Sequence, residues 1–299
     1  MQLLREVKPQ RDQQALYNRA VLITIGGNVL LAVSKAIVAY LSGSAAIFSD
    51  AANSISDVVY SLLLVVGLRL ATRPPDLSHP QGHSRFEPLT GLIVTISMFF
   101  ASYAAGSNAI QRYLAGGEAI ALDLPTVVLL FSAGIKAVMF VVIRNLGNKL
   151  NSPTLKTTAK DNLSDVLTSV AAFVGVLGST LIHPLADPIA GFAVAVYIFV
   201  QAFRAARDNL GFLTGKGASA GEIDEFVKAV EEVPGVIRVH HIMTDYAGPK
   251  LIVDVHINVD GDITLHESHR ISDAVASRLQ EFPQVDRAYV HLEPDDWKD

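Results

Sequence analysis

The chain has 299 residues, of which 50% are apolar and only 18% are charged. A typical soluble domain carries about 25% charged residues, and a chain that binds nucleic acid is usually basic, whereas the net charge here is −5. Because cysteine is absent from the sequence, disulfide scaffolds, thiol catalysis and cysteine-ligated metal sites are excluded. We therefore expect a protein of the lipid bilayer that does not bind nucleic acid.

The charges divide the chain into two parts. Residues 1–211 contain 16 Lys or Arg and 12 Asp or Glu, which gives a net charge of +4. Residues 212–299 contain 8 Lys or Arg and 17 Asp or Glu, which gives a net charge of −9. This shift predicts a membrane domain over residues 1–211 and an acidic, water-facing domain over residues 212–299.

The first part contains six apolar stretches in series. A bilayer core about 30 Å thick needs ~20 helical residues at about 1.5 Å of rise per residue, and most of the stretches reach that length. Six such stretches with so few charges favour transmembrane helices over helices buried in a soluble core. The stretches are Leu16–Leu41, Ile47–Leu70, Leu89–Ile110, Leu124–Ile143, Leu155–Ile182 and Pro188–Phe203.

Basic residues indicate the orientation of these spans. Thirteen Lys or Arg, beginning with Arg5 and Lys8, flank the N-terminus, the second and fourth connections and the end of the sixth span. In the other three connections the only Lys or Arg is Arg112. Because cytoplasmic loops carry an excess of Lys and Arg, we expect both termini in the cytoplasm and the protein in the (inner) cell membrane.

The acidic part alternates helical and β-branched segments. Apolar periodicity predicts helices over Glu222–Val233 and His266–Leu279. β-branched runs predict strands over Val236–Tyr246, Leu251–Val259 and Ala288–Leu292. The fold expected for the whole chain is therefore an α-helical membrane protein of six transmembrane helices plus a cytoplasmic α+β (αββαβ) two-layer domain.

Two of the predicted spans carry acidic and amide side chains at helical spacing. Asn53 and Asp57 lie four residues apart, as do Asp161 and Asp165, so each pair lies on one helix face. A carboxylate at the bilayer centre costs at least ~2.5 kcal/mol and faces the bundle interior or a water-filled cavity. At about 1.5 Å per residue, Asp57 and Asp165 both lie ~15 Å from an end of their spans, so they can meet near the midplane.

Four oxygen-bearing side chains without sulfur or imidazole predict a site for a hard divalent cation. The alternative is that these groups only form hydrogen bonds between helices. Lys136, near the middle of the fourth span, can pair with one of the carboxylates, and the sequence does not identify which one.

Histidines form two further candidate metal clusters. Asp76, His79 and His83 lie in the connection after the second span, with DxxHxxxH spacing. Imidazole and carboxylate together suit Zn, Fe, Co or Mn. In the acidic part, a second set consists of four histidines on the predicted strands and the last helix, His240, His256, His269 and His291, together with Glu293, which follows on the side of His291 at the strand period of two. Solvated loop histidines and structural tail histidines are the alternative interpretations.

The whole chain resembles the cation diffusion facilitator family. The shared features are six spans, DAxNSxxD in the second span, DxxxD in the fifth, HPQGHSRFEPL in the loop and an αββαβ tail. The resemblance implies a homodimer that exports a divalent metal ion in exchange for proton entry. It implies a transport site of Asn53, Asp57, Asp161 and Asp165, a loop site of Asp76, His79 and His83, and a regulatory site of His240, His256, His269, His291 and Glu293.

Departures from the family pattern bear on the metal. Zinc-selective members tend to have His in the transport site, whereas this site has none and has Asn53, as in the manganese-type branch. Mn²⁺ is harder than Zn²⁺ and prefers oxygen ligands, which agrees with that assignment. The tail histidines, by contrast, resemble the iron/zinc branch. The family also pairs a loop base, here Arg85, with an acid after the sixth span, where this chain has Gly215.

The expected function is therefore export of Mn²⁺ by antiport with protons. An Fe²⁺ or Zn²⁺ (Co²⁺, Cd²⁺) exporter and a membrane metal sensor or scaffold that does not transport are the alternatives. Because neither HExxH nor GxSxG occurs in the sequence, we expect neither an enzyme nor a catalytic cofactor, and divalent metal ions act as substrate and regulator.

Overall fold

The computed structural model describes residues 11–42, 45–117 and 124–296. The chain forms two compact units, one that ends at Leu210 and one that begins at Gly211. Arg5 and Lys8, which contribute to the predicted orientation, lie outside the described residues.

Six long helices form the first unit, as the six apolar stretches predict. The last of them differs most from its predicted limits, since it continues past Phe203 to Leu213. The added residues include Ala205 and Asn209, which are buried against neighbouring helices and so keep the segment helical. The helices are α1 (Arg11–Ser42), α2 (Ala45–Ala71), α3 (Phe86–Leu114), α4 (Leu124–Lys149), α5 (Pro153–Leu181) and α6 (Ala186–Leu213).

Within the described residues, five helical segments are long and apolar enough to cross a membrane: Asp12–Val38, Phe86–Leu114, Leu130–Lys149, Pro153–Ser179 and Ala186–Leu213. The remaining long helix, α2, has 27 residues, which also suffices for a bilayer core of about 30 Å. Large apolar side chains such as Phe100, Val138 and Phe203 are more than half exposed on the outer surface of the unit. Lipid covers such a surface in a membrane protein, so the expected fold of this part is confirmed.

Small residues let the helices approach each other closely. A Cβ atom at Gly67 of α2 would lie 1.8 Å from Thr90 Oγ1 of α3, so only glycine fits there. The turn between α4 and α5 ends at Ser152, whose hydroxyl accepts a hydrogen bond from the Leu155 N–H at 3.1 Å. Pro153 occupies the first turn, where its missing N–H costs nothing. These contacts fix where α5 begins, and thereby the depth of its acidic residues.

The second unit has the expected αββαβ order. Its elements are α7 (Ala220–Glu231), β1 (Arg238–Ala247), β2 (Lys250–Val259), α8 (Leu265–Gln280) and β3 (Val285–Pro294). The strand order is β1-β2-β3, with β1 antiparallel and β3 parallel to β2. The α+β fold predicted for this part is therefore confirmed.

Both helices of this unit pack on one face of the sheet. Phe226 of α7 and Leu279 of α8 share a buried core with alternate residues of β2, among them Val253 and Val255. Because successive strand residues point to opposite faces, His256 lies on the other, helix-free face. The pairing of β1 with β2 is irregular between Val239 and His241, which is a β-bulge.

The core of the second unit predicts a large effect for a truncation on α8. Leu279→Ala removes a fully buried side chain, and we expect the free energy of unfolding to fall by about 2–5 kcal/mol. Urea denaturation of a fragment covering residues 211–299 measures this change. Arg270→Ala, at an exposed position of the same helix, is the control and should alter the free energy by no more than about 0.5 kcal/mol. Equal effects of the two substitutions would show that the core lies elsewhere.

Candidate metal sites

Charged side chains from three helices meet inside the helical unit. The Lys136 ammonium of α4 lies 2.9 Å from Asp57 Oδ2 of α2 and 2.7 Å from Asp165 Oδ2 of α5. Lys136 is only 5% exposed, so its ammonium is shielded from bulk water, whereas the two aspartate side chains are partly exposed. The structure thus brings Asp57 and Asp165 together and identifies the partner of Lys136. Asn53 lies on α2 one turn before Asp57, and its side chain is outside the described residues.

A small cavity adjoins this group and includes the third carboxylate. Asp57 and Asp161 both line it, and its volume is about 20 Å³. One water molecule needs roughly 10–15 Å³ by this measure, so the cavity holds one water or one bare metal ion. The other lining residues are Thr24, Asn28, Tyr60, Ser61, Leu64, Val94, Thr158 and Asn162.

Helix α1 contributes oxygen atoms that the sequence motifs do not indicate. Asn28 donates through Nδ2 to Ser61 Oγ at 2.7 Å, and Ser61 Oγ donates to the Asp57 carbonyl at 2.7 Å. Asn28 Oδ1 and Thr24 Oγ1 are buried and have no hydrogen-bond partner among the described residues. A buried polar group without a partner costs about 1–3 kcal/mol, and a cation or a water molecule in the cavity removes that cost. Both residues are polar positions within an apolar span, which is the signal the sequence offered.

The loop between α2 and α3 folds its three candidate ligands together. His79 Nδ1 lies 3.5 Å from Asp76 Oδ1, and His83 Nε2 lies 3.3 Å from Asp76 Oδ2. The two imidazole rings are 4.6 Å apart, and Phe86 stacks on His83 at 5.8 Å between ring centroids. Gly82 has a φ of 96°, a left-handed conformation that permits the tight turn between the two histidines. The donor atoms of all three residues lie within 4.8 Å of one another.

Backbone hydrogen bonds orient the Asp76 carboxylate. The His79 N–H donates to Asp76 Oδ1 at 2.7 Å, and the Ser78 N–H donates to the same atom at 2.9 Å. These bonds, the one from His79 first, hold the pKa of the Asp76 carboxyl below its ordinary value. The carboxyl group therefore stays ionised to a lower pH than an ordinary aspartate, and its Oδ2 is free of these backbone hydrogen bonds.

The helix-free face of the sheet carries a second histidine cluster, which we call the sheet-face cluster: His240, His256, His291 and Glu293. Glu293 is at its centre, since Oε2 lies 3.0 Å from His240 Nε2 and Oε1 lies 3.7 Å from His256 Nδ1. Its Oε1 also lies 3.4 Å from His291 Nε2. The imidazole rings of His256 and His291 are 4.7 Å apart, because these residues are paired across β2 and β3.

Asn258, which sequence analysis missed, fixes one ligand of this cluster. Its Oδ1 accepts from Arg238 Nε at 2.8 Å and lies 3.1 Å from His240 Nδ1. Because arginine only donates, that oxygen is an acceptor for the imidazole too, and His240 Nδ1 carries the proton. A neutral His240 then carries its lone pair on Nε2, which faces Glu293 Oε2 at 3.0 Å, and a metal ion bound by both groups would satisfy these two acceptors. Asn258 follows His256 at the strand period of two, which is a signal available in the sequence.

Two further histidines stand apart from the tightest group. The structure does not bring His269 to the sheet-face cluster within one chain: it lies on α8, is 76% exposed and faces Asp273 at 3.7 Å. His241, exposed on β1, lies beside the cluster, with its ring 4.9 Å from that of His256. Within the sheet-face cluster, the three residues whose donor atoms lie within 4.8 Å of one another are His240, His256 and Glu293.

Comparison with known proteins covers both units. The family model of the cation efflux transmembrane domain matches residues 21–214, and that of the cation efflux protein cytoplasmic domain matches residues 218–295. The chain is 36% identical over 276 residues to an uncharacterized transporter of Methanocaldococcus jannaschii. The matched region covers 92% of this chain and 97% of the relative.

Other similar proteins are named for manganese or were solved with a metal. The manganese efflux system protein MneS of Bacillus subtilis is 28% identical over 280 residues, covering 91% of this chain and 94% of the relative. The solved copper form of the MamM CTD is 30% identical, covers 26% of this chain and 88% of that chain, and has a TM-score of 0.25.

The geometry of the sheet-face cluster predicts that Glu293 is its most sensitive member. Glu293→Ala removes the carboxylate that all three histidines face, and we expect Zn²⁺ affinity of a fragment covering residues 211–299 to fall at least about tenfold. Isothermal titration calorimetry measures the affinity. His266→Ala, an exposed histidine on α8, is the matched control and should leave it unchanged. Equal affinities of the Glu293 variant and the unmodified fragment would place the metal elsewhere.

Proposed function

Because the chain belongs to the cation efflux family of metal transporters, we propose that it exports a divalent metal ion from the cytoplasm in exchange for protons. The observation that carries this proposal is the meeting of acidic groups from α2 and α5 inside the bundle, beside a cavity of about 20 Å³. Carboxylates within the hydrocarbon region are costly, and an ion pathway accounts for their presence.

The chemistry of the donors supports Mn²⁺ as the favoured ion. Every polar residue that lines the cavity offers oxygen or amide groups, with no sulfur or imidazole among these lining residues. Such a set suits a hard cation better than Zn²⁺, which gains from imidazole in tetrahedral sites. The manganese efflux system protein MneS is one of the similar proteins, which supports the same assignment.

Exchange with protons follows from the ligands. A carboxylate binds the metal ion only when it is deprotonated, so binding from the cytoplasmic side releases protons. When the cation leaves on the other side, the single charge of the Lys136 ammonium cannot neutralise the three closely spaced carboxylates, so protons return to neutralise the remaining charge. Asn53, Asp57, Asp161 and Asp165 form the transport site in this proposal.

The histidine clusters have a regulatory role in the proposal. The protein lies in the (inner) cell membrane with both termini in the cytoplasm. The sheet-face cluster and the loop cluster, which consists of Asp76, His79 and His83, are therefore exposed to the cytoplasmic metal concentration. The matched cytoplasmic domain supports a homodimer. In this homodimer, His269 of α8 joins the regulatory site, although it lies outside the sheet-face cluster of its own chain. Divalent metal ions then act as substrate and regulator, with no catalytic cofactor and no enzymatic reaction.

A second candidate within the same class is an exporter of Fe²⁺ or Zn²⁺ that also accepts Co²⁺ and Cd²⁺. The observation that favours it is the imidazole content of the sheet-face cluster, since imidazole suits these softer ions. A membrane metal sensor that does not transport would have the same clusters. Metal flux through reconstituted protein separates the sensor from both exporters.

The transport site predicts complete loss of activity on removal of either central acid. Asp57→Ala or Asp161→Ala should abolish Mn²⁺-driven proton flux in proteoliposomes, because the cation loses a charged ligand inside the bilayer. A pH-sensitive dye trapped in the vesicles measures the flux. Asp208→Asn removes an acid of α6 that pairs with Lys160 at 3.3 Å, and this control should retain flux. Flux through the Asp57 and Asp161 variants at the rate of unmodified protein would refute the proposed site.

Selectivity is expected to depend on Asn53. Asn53→His places an imidazole in the transport site and should shift preference from Mn²⁺ toward Zn²⁺, since Zn²⁺ gains more from a nitrogen ligand. Competition between the two ions in the vesicle assay measures the ratio. Asn148→His makes the same substitution at an exposed position of α4 and should not change it. An unaltered Mn²⁺/Zn²⁺ ratio in the Asn53 variant would remove Asn53 from the ligand set.

A further inference from the structure

Lys136 occupies an unusual position for a lysine. It lies in the middle of α4, is 5% exposed and directs its ammonium between two carboxylates of other helices. Lysine is almost never fully buried unless it is paired, and an ammonium offers three donors and no acceptor. The side chain is therefore held in place by Asp57 and Asp165, two of the groups assigned above to the exported ion.

We propose that the Lys136 ammonium is a tethered competitor of the exported cation. It occupies the carboxylates of the metal-free site, and the arriving metal ion displaces it from them. This inference rests on the proposed function, because it assumes that Asp57 and Asp165 bind the ion. It gives Lys136 a role in setting the affinity of the site, without making it a ligand.

The Lys136 ammonium and a metal ion cannot lie between the same two carboxylate oxygens at the same time. The ammonium is 2.9 Å and 2.7 Å from the two Oδ2 atoms, so it lies between them. A hard divalent ion lies about 2.0–2.6 Å from its carboxylate oxygens, and an ion bridging the same two atoms would overlap the ammonium. Like charges also repel strongly where bulk water is excluded. The ammonium therefore also weakens the binding of a metal ion in the adjoining cavity near Asp57.

Competition of this kind assists both ends of a transport cycle. When no metal ion is bound, the ammonium neutralises acids that would otherwise repel one another in the bundle interior. When a metal ion is bound, the ammonium can replace it at the carboxylates, which favours release of the metal ion on the far side. A lysine that only stabilised the fold would leave the affinity for the metal ion unchanged once the protein is folded.

The test measures Mn²⁺ affinity of the full-length protein in lipid nanodiscs by calorimetry. The background carries alanine at four ligands of the other clusters, so that the transport site dominates the signal: His79, His83, His240 and His256. In this background Lys136→Met should bind Mn²⁺ at least about tenfold more tightly. Lys136→Arg keeps the charge and should bind within about threefold of the parent.

Two controls keep the result interpretable. Arg112→Gln removes an ion pair with Asp187 elsewhere in the unit and should not change Mn²⁺ affinity. Because Lys136→Met leaves two acids without their partner, a second comparison uses Asp165→Asn with and without Lys136→Met. The lysine substitution should again tighten binding, now in a protein with one acid fewer to neutralise.

The outcomes separate this inference from the proposed function. Unchanged or weaker binding after loss of the lysine, in either comparison, overturns the competitor role while the transport site stands. If instead Asp57→Asn leaves Mn²⁺ affinity of the background unchanged, the transport site itself is refuted and the role of Lys136 falls with it. Tighter binding in Lys136→Met, together with slower Mn²⁺ export from vesicles, supports both.

Discussion

A charge inside the hydrocarbon region of a bilayer is costly unless an opposite charge or a water-filled cavity compensates it, and this constraint organises the helical unit. Lys136 of α4 meets Asp57 of α2 and Asp165 of α5, so three helices share one electrostatic centre. Breaking such a group by removing one partner leaves an uncompensated buried charge, which costs about 3–5 kcal/mol. The acids that we propose as metal ligands thus also hold the bundle together.

Most of the fold could be predicted from the sequence, because its signals are local. Apolar length predicts each membrane helix, and periodicities of 3.6 and 2 distinguish helices from strands in the second unit. The end of α6 could not be predicted, since Asn209 looks like a polar boundary residue and is buried through hydrogen bonds to Thr157 and the Ala205 carbonyl. A helix end of this kind depends on its neighbours and not on its own residues.

The candidate sites could be predicted in part, for the same reason. Spacing of four residues places Asp161 and Asp165 on one helix face, and the loop motif brings Asp76, His79 and His83 together as its local turn suggests. Which helix faces which is a tertiary property, so the partners of Lys136 and the oxygens of α1 remained hidden. The position of His269 on an exposed helix surface likewise depends on the packing of α8 against the sheet.

The bulge in β1 gives the helix-free face of the sheet a particular kind of evolvability. An extra residue between Val239 and Ile242 lets adjacent histidines approach the same neighbour, while the alternate apolar residues continue to point into the hydrophobic layer. Deleting that residue, which is itself a histidine, would restore a regular ladder and remove one imidazole without exposing the interior. The metal binding that we propose for this surface can therefore diverge between descendants of the chain by a change in strand length alone, with every side chain of the interior retained.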